Sequence, residues 1–78
     1  MYLHIGKDRI IYTNNLIGIF DIDSLKVTKC YNKIMENIKV VEDLADEKKK
    51  TLIIVKEDNQ LKAYITNILS TTIAKRNY

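Results

Sequence analysis

The sequence predicts a small α+β domain with a mostly antiparallel sheet, in the order β-β-β-α-β-β-β-α. Three observations lead to this fold class. Short runs of β-branched and aromatic residues, separated by turn residues, fill positions 1–22. From Asp23 onwards the apolar residues recur at spacings of three and four, as on a helix. Positions 51–66 then form two strand-like runs around a polar turn.

The N-terminal strands are predicted from their β-branched and aromatic content. They are "YLHI" (2–5), "RIIYT" (9–13) and "LIGIFDI" (16–22), with turns at "GKD" (6–8) and "NN" (14–15). Asparagine tolerates the positive φ of a tight turn, so we expect a three-stranded antiparallel meander. Gly18 inside the third strand predicts a bulge or a close backbone approach.

The central helix is predicted from one apolar face. Its members are Val27, Cys30, Tyr31, Ile34, Met35 and Ile38. Asp23 or Ser24 is the expected N-cap, because either side chain can accept a bond from an unpaired backbone N–H. On this face Cys30 is expected to pack in the core as a small apolar residue.

The second half is predicted to add a hairpin and a short helix. The segments are a short strand or extended segment with a polar loop (39–50), strands at 51–56 and 61–66 around a turn at 57–60, and a closing segment at 67–76. Ser70 or Thr71 is the expected cap of the last helix, which holds Ile73.

Length and composition limit the classes of protein. The 78 residues are expected to form one domain over 1–78, and a core of this size is marginal without disulfides, metal or self-association. Cys30 is the only cysteine, which excludes an internal disulfide. We therefore expect a homo-oligomer. No signal peptide or membrane-spanning run is recognisable, and a cytoplasmic location is expected.

No set of residues predicts catalysis. His4 is expected to be a partly buried structural histidine, and the Asp21/Asp23 pair is explained by a helix cap beside a solvated acid. Two separated glycines cannot build a phosphate loop. We expect a protein that is not an enzyme and has no metal, cofactor or small-molecule substrate.

The charge is unevenly distributed. Residues 1–47 hold six Lys/Arg and eight Asp/Glu (net −2), whereas residues 48–78 hold seven and two (net +5). The densest cluster is Lys48, Lys49 and Lys50, here called the lysine run. Its ammonium groups can neutralise phosphates, or they can simply keep a polar loop solvated. The residues alone leave both interpretations open.

Several stretches resemble the bacterial extracellular matrix regulatory proteins of the RemA/RemB type, with closer similarity to the RemB branch. They are "YLHIG" at the start, "IIYTNNLIGIFDID" (10–23), "KTLIIV" (50–55) and "ILSTTIAKR" (68–76). Together these stretches span nearly the whole chain, and most of them are structural patterns.

The resemblance implies a DNA-binding regulator of biofilm matrix genes that assembles into rings and contacts DNA through arginines on two loops. One arginine position falls on Asn15 here, and the other loop falls on the lysine run. Asn15 can still donate a hydrogen bond to DNA but carries no charge, and lysine lacks the planar fork of arginine. A RemA-like paralogue is a further candidate partner, and no membrane partner is expected.

Two functions therefore remain open at the level of the sequence. The first is a ring-forming DNA-binding regulator that uses the lysine run and Asn15. The second is an oligomeric structural or protein-interaction subunit of the same fold without strong DNA binding.

Overall fold

The computed structural model describes residues 1–76 and confirms the α+β class, with three helices and six strands in two sheets. The elements in chain order are β1 (Tyr2–Gly6), β2 (Arg9–Tyr12), a 3₁₀ turn (Thr13–Asn15), β3 (Leu16–Asp21), α1 (Ile22–Val27), α2 (Cys30–Glu36), β4 (Val40–Asp43), β5 (Thr51–Glu57), β6 (Gln60–Thr66) and α3 (Ser70–Arg76).

The larger sheet has the strand order β3-β5-β6-β4. Its centre is the β5–β6 hairpin that the sequence predicts, with Thr51 opposite Thr66. Asp58 and Asn59 form its turn with φ values of 51° and 64°. Two consecutive positive φ angles match the twist of a two-residue hairpin. Strand β4 pairs parallel to β6, so the sheet is antiparallel except at one edge.

The predicted N-terminal meander is wrong. Strands β1 and β2 form their own two-stranded sheet, and β3 pairs with β5 instead. Neither Asn14 nor Asn15 takes a positive φ, and both lie in the 3₁₀ turn. The main chain therefore leaves the hairpin rather than folding back onto β2. The first five residues of β5 are buried, so their backbone N–H and C=O groups need hydrogen-bonding strands at both edges, and β3 supplies one.

The predicted bulge at Gly18 is confirmed by a register shift between Leu16 and Gly18 in the β3–β5 pairing. The other glycine is constrained by its backbone conformation as well as by its neighbours. Gly6 ends β1 with φ 131°, and a Cβ built there would lie 2.9 Å from Oγ1 of Thr66. That φ is accessible to glycine and strained for other residues.

One face of the four-stranded sheet is covered by the β1–β2 hairpin and α3. The buried cluster on this side contains Leu3, Ile5, Ile11, Leu44, Ile53, Val55, Tyr64 and Ile73. Successive side chains of a strand point to opposite faces, so Ile53 and Val55 face this layer while Leu52 and Ile54 face the other.

The opposite face is covered by α1 and α2, and here the predicted single helix is wrong. The chain breaks after Val27, where Thr28 Oγ1 donates to the carbonyl of Leu25 and Lys29 adopts φ 64°. The amides of Thr28 and Lys29 bond three residues back, which ends α1. Because α2 starts on a new axis, Val27 is 82% exposed and Cys30 is also exposed. The prediction of a core Cys30 is therefore wrong.

The cap of the first helix also differs from prediction. Neither Asp23 nor Ser24 is the N-cap; Asp21 is, and its carboxylate accepts from the Ser24 amide at 3.0 Å and from the Ser24 hydroxyl at 2.9 Å. Because β3 runs straight into α1, the cap falls at the last residue of the strand. The Asp21/Asp23 pair is thus still a helix cap beside a solvated acid, but the capping residue is Asp21.

Candidate nucleic-acid interface

The lysine run lies between β4 and β5, at one end of the four-stranded sheet. Main-chain bonds fix its position: the Lys50 amide donates to the Thr66 carbonyl at 3.0 Å, and the Ile22 amide donates to the Lys50 carbonyl at 3.0 Å. Next to it, the hydroxyl of the buried Thr51 donates to the Ile68 carbonyl at 2.6 Å. The backbone of the run is thus anchored while its side chains point outward, with Lys48 and Lys49 exposed and Lys50 half-buried.

The three lysines differ in their partners. Lys49 Nζ lies 3.3 Å from Oδ2 of Asp43. Within residues 1–76, Lys48 and Lys50 have no carboxylate in ion-pair range. Two of the three ammonium groups are therefore free to meet an anion from another molecule.

Asp43 is held in its charged form by its surroundings. Its Oδ1 accepts a 2.8 Å hydrogen bond from the Ala45 amide, and this bond is the main cause that lowers the pKa of the carboxyl group. Burial opposes this effect and raises the pKa, while the ammonium group of Lys49 lowers it further through a hydrogen bond and through its charge. At neutral pH Asp43 therefore stays ionised and keeps Lys49 partly neutralised.

Other carboxylates border the run. A depression of about 530 Å³ beside Lys48 is also lined by Asp46 and Glu47. Asp46 pairs with Lys7 at the tip of the β1–β2 hairpin, whereas Glu47 has no such partner among the described residues. These carboxylates offset the positive charge of Lys48 inside the depression, so Lys48 attracts most strongly an anion that approaches from outside it.

Asn15 lies at the other end of the sheet. It closes the 3₁₀ turn that precedes Leu16, and Leu16 pairs with Val55 near the far end of β5. The lysine run precedes Thr51, at the near end of the same strand. At roughly 3.3 Å per residue, the two predicted DNA contacts lie about 20 Å apart within one chain. The structure does not bring them together.

The residues whose side chains could support catalysis are also far from one another. His4 is exposed on the outer side of β1, so the prediction of a partly buried histidine is wrong. It lies there because Leu3 and Ile5 take the inward positions of the strand. Cys30 lies on the opposite layer, and within residues 1–76 no group of three or more His, Cys, Asp or Glu side chains is arranged to hold a metal ion.

A second basic group lies on α1 and α2, around a cleft that is not predicted from the sequence. A single continuous helix would place Lys26, Lys29 and Lys33 on its solvated side. The break at Lys29 gathers Lys26 and Lys29 around a cleft instead. The available signal is the adjacent β-branched pair Val27-Thr28, which lowers helix propensity where α1 ends.

Among the helices of residues 1–76, none has the length and apolar character needed to cross a membrane. A scan against protein-family models found none that matches this chain, and a search of curated proteins found no match either.

Proposed function

We propose that the protein is a DNA-binding regulator of extracellular matrix genes that acts as a ring-shaped homo-oligomer. The observation that carries the proposal is the lysine run at one end of the sheet. Its backbone is anchored, and the ammonium groups of Lys48 and Lys50 have no carboxylate partner among the described residues. The resemblance to the RemA/RemB type supplies the expected ring and the class of target gene.

The charge available on one chain is small, so the proposal needs several copies. Each phosphate contact releases condensed counterions and adds a salt-dependent increment of affinity without reading the base sequence. Copies linked in one assembly bind the same duplex with a raised effective concentration. An oligomer that presents two free lysines per subunit along one DNA path therefore reaches an affinity that one subunit cannot.

The edges of the larger sheet support self-association. Both β3 and β4 lie at an edge, and each carries exposed apolar side chains: Ile17 on β3, Val40 and Val41 on β4. Unpaired edge strands favour addition of another strand. Because the two edges differ, joining β3 of one subunit to β4 of the next is a head-to-tail contact, which closes into a ring when the rotation per subunit allows.

A second candidate function is an oligomeric protein-interaction subunit without strong DNA binding. The observation in its favour is the outer face of the β1–β2 hairpin, where Tyr2 is 70% and Ile10 56% exposed. Tyr2 and Tyr12 pack edge to face there, with ring centroids 5.4 Å apart. Exposed aromatic and aliphatic groups are typical of protein contacts rather than of phosphate contacts.

The test replaces Lys48, Lys49 and Lys50 by alanine and measures affinity for several DNA duplexes by fluorescence anisotropy across a salt series. We expect affinity to fall by a similar factor for every duplex, because phosphate contacts do not read sequence. The slope of log affinity against log salt should become shallower by about 0.9 for each phosphate that the variant no longer neutralises. Thermal stability should hardly change, since exposed charges contribute little to folding.

The matched control is Lys39→Ala, Lys56→Ala and Lys75→Ala, which removes the same charge from exposed positions outside the lysine run. It should keep more of the salt slope than the lysine-run variant. Asn15→Arg should strengthen binding and steepen the slope by adding a charge where the resembled family has one. Equal salt slopes for the parent and the lysine-run variant would show that the run is a solvated loop that does not contact DNA phosphates. An oligomer in native mass spectrometry with no DNA retention at low salt would favour the second candidate.

A further inference from the structure

The layer formed by α1 and α2 contains a basic cleft that the proposed function does not use. It has a volume of about 530 Å³ and is lined by Lys26, Lys29, Tyr31 and Asn32. This volume falls within the range of roughly 300 to 1,000 Å³ that is typical of small-ligand sites. We propose that this cleft between α1 and α2 is a binding site for phosphate groups.

The chemistry of the lining supports an anionic ligand. Two ammonium groups, one side-chain amide and one phenol all offer hydrogen-bond donors, and none of these four described residues carries a carboxylate. Phosphate oxygens are the complementary acceptors. The composition contrasts with the depression beside Lys48, where Asp46 and Glu47 form part of the wall.

Within residues 1–76, the ammonium groups of the cleft have no carboxylate in ion-pair range. Elsewhere in residues 1–76, Lys7, Lys49 and Lys62 each pair with a carboxylate. Lys26 and Lys29 pair with none of the carboxylates in this part of the chain, including Asp23 on α1 and Glu36 on α2. A phosphate would therefore meet these positive groups without first displacing a protein carboxylate.

Local geometry holds the two lysines at the cleft. Lys26 Nζ lies 5.5 Å from the ring centroid of the half-buried Tyr31, a cation–π distance that restrains the side chain. Lys29 occupies the left-handed region with φ 64°, which few residues other than glycine and asparagine adopt readily. That conformation turns the chain between α1 and α2 and places Lys29 beside Lys26.

A phosphate group can come from a nucleic-acid backbone or from a small phosphorylated compound. The site lies on the helical layer. Helix α1 connects it to the lysine run, because the amide of Ile22 at the start of α1 donates to the Lys50 carbonyl. Both sources share the chemistry that the cleft recognises, so the experiment uses two probes, inorganic pyrophosphate and a DNA duplex.

The test follows backbone amide chemical shifts during titration with each probe at low salt. Pyrophosphate should cause saturable shifts at residues 26–32. The variant Lys26→Gln/Lys29→Gln should weaken this binding at least tenfold, whereas the matched variant Lys39→Gln/Lys56→Gln should change it by less than twofold. Tyr31→Phe keeps the ring and removes one donor, so a decrease in affinity of about two- to fivefold is expected.

The two sources are separated by competition. If the duplex shifts the same amides and displaces pyrophosphate, the source is the DNA backbone; if only pyrophosphate shifts them, the source is a small phosphorylated compound. The variant lacking the lysine run should still bind pyrophosphate. The cleft can therefore be tested even if the proposed function is wrong. Absence of saturable shifts at residues 26–32 with both probes would overturn the proposal, as would an equal decrease in the Lys39→Gln/Lys56→Gln variant.

Discussion

The two faces of the four-stranded sheet are covered in different ways. On one face the β1–β2 hairpin and α3 insert fully buried side chains, among them Leu3, Ile5 and Ile73. On the other face α1 and α2 contribute one buried residue, Ile22. The other side chains of α1 and α2 that pack on that side are half-buried, as for Tyr31 and Ile34.

The charges follow the same division. The hairpin layer is tied to neighbouring segments by ion pairs of Lys7 with Asp46 and of Arg9 with Glu42, and the Arg9 guanidinium lies 5.9 Å from the Tyr64 ring centroid. The lysines of the helical layer have no such partners among residues 1–76. The hairpin layer thus pairs its positive charges with carboxylates of the same chain, whereas the lysines of the helical layer stay available to an anion from another molecule.

The largest expected effect comes from shortening one core side chain on each face. Ile5→Ala should lower the free energy of unfolding by about 2 to 5 kcal/mol, because Ile5 is fully buried and leaves a cavity. Ile34→Ala on α2 should cost only about 1 to 2 kcal/mol, since its side chain is half-buried. Urea denaturation of both variants measures the difference. Equal decreases in stability would break the comparison between the two layers.

An intermediate effect is expected at Gly6. Gly6→Ala should destabilise the protein by about 1 to 3 kcal/mol, because alanine is strained at φ 131° and its Cβ would press on Thr66 Oγ1. Gly18→Ala is the matched control. Its added Cβ would meet mainly the ring tip of Phe20, which is the far end of a side chain that can turn aside. Thermal unfolding should therefore show a larger fall in Tm for Gly6→Ala than for Gly18→Ala. A larger fall for Gly18→Ala would contradict this prediction.

The smallest effect is expected at Cys30. Cys30→Ala should change the free energy of unfolding by less than about 0.5 kcal/mol, since the residue is exposed on the helical layer. Its thiol should react with a neutral maleimide at nearly the rate of a free cysteine in a peptide, as followed by mass spectrometry. Slow labelling, or a destabilisation of roughly 1 kcal/mol on truncation, would restore the core packing that the apolar spacing of the helix predicts.

The sequence predicts local features of this fold well. The Gly18 bulge and the β5–β6 hairpin depend on residues that lie next to one another in the chain, and both are present. The short strand at β4 is also predicted, although its parallel pairing with β6 is not. In each case the preference of a few neighbouring residues decides the structure.

Features that depend on distant partners are not predicted. The residues of β3 themselves do not indicate whether β3 pairs with β2 or with β5. The pairing with β5 is decided by the burial of β5, whose backbone needs a strand at each edge. The apolar spacing likewise does not reveal the helix break at Lys29, because Val27 and Cys30 fit one face only if the helix is continuous. At the candidate interface, the sequence identifies the lysine run, but the pairing of Lys49 with Asp43 depends on the main chain between β4 and β5.

The strand pairing of the larger sheet also determines how much chain entropy is lost as the sheet forms. The β5–β6 hairpin closes over the two turn residues Asp58 and Asn59, whereas pairing β3 with β5 closes a loop of roughly 30 residues between Asp21 and Thr51. By the logarithmic dependence of closure entropy on length, the longer loop costs about 2 kcal/mol more. The hairpin is therefore the part of the sheet whose formation restricts the chain least. Strand β3, and with it the start of α1, joins the hairpin only at a greater loss of chain freedom.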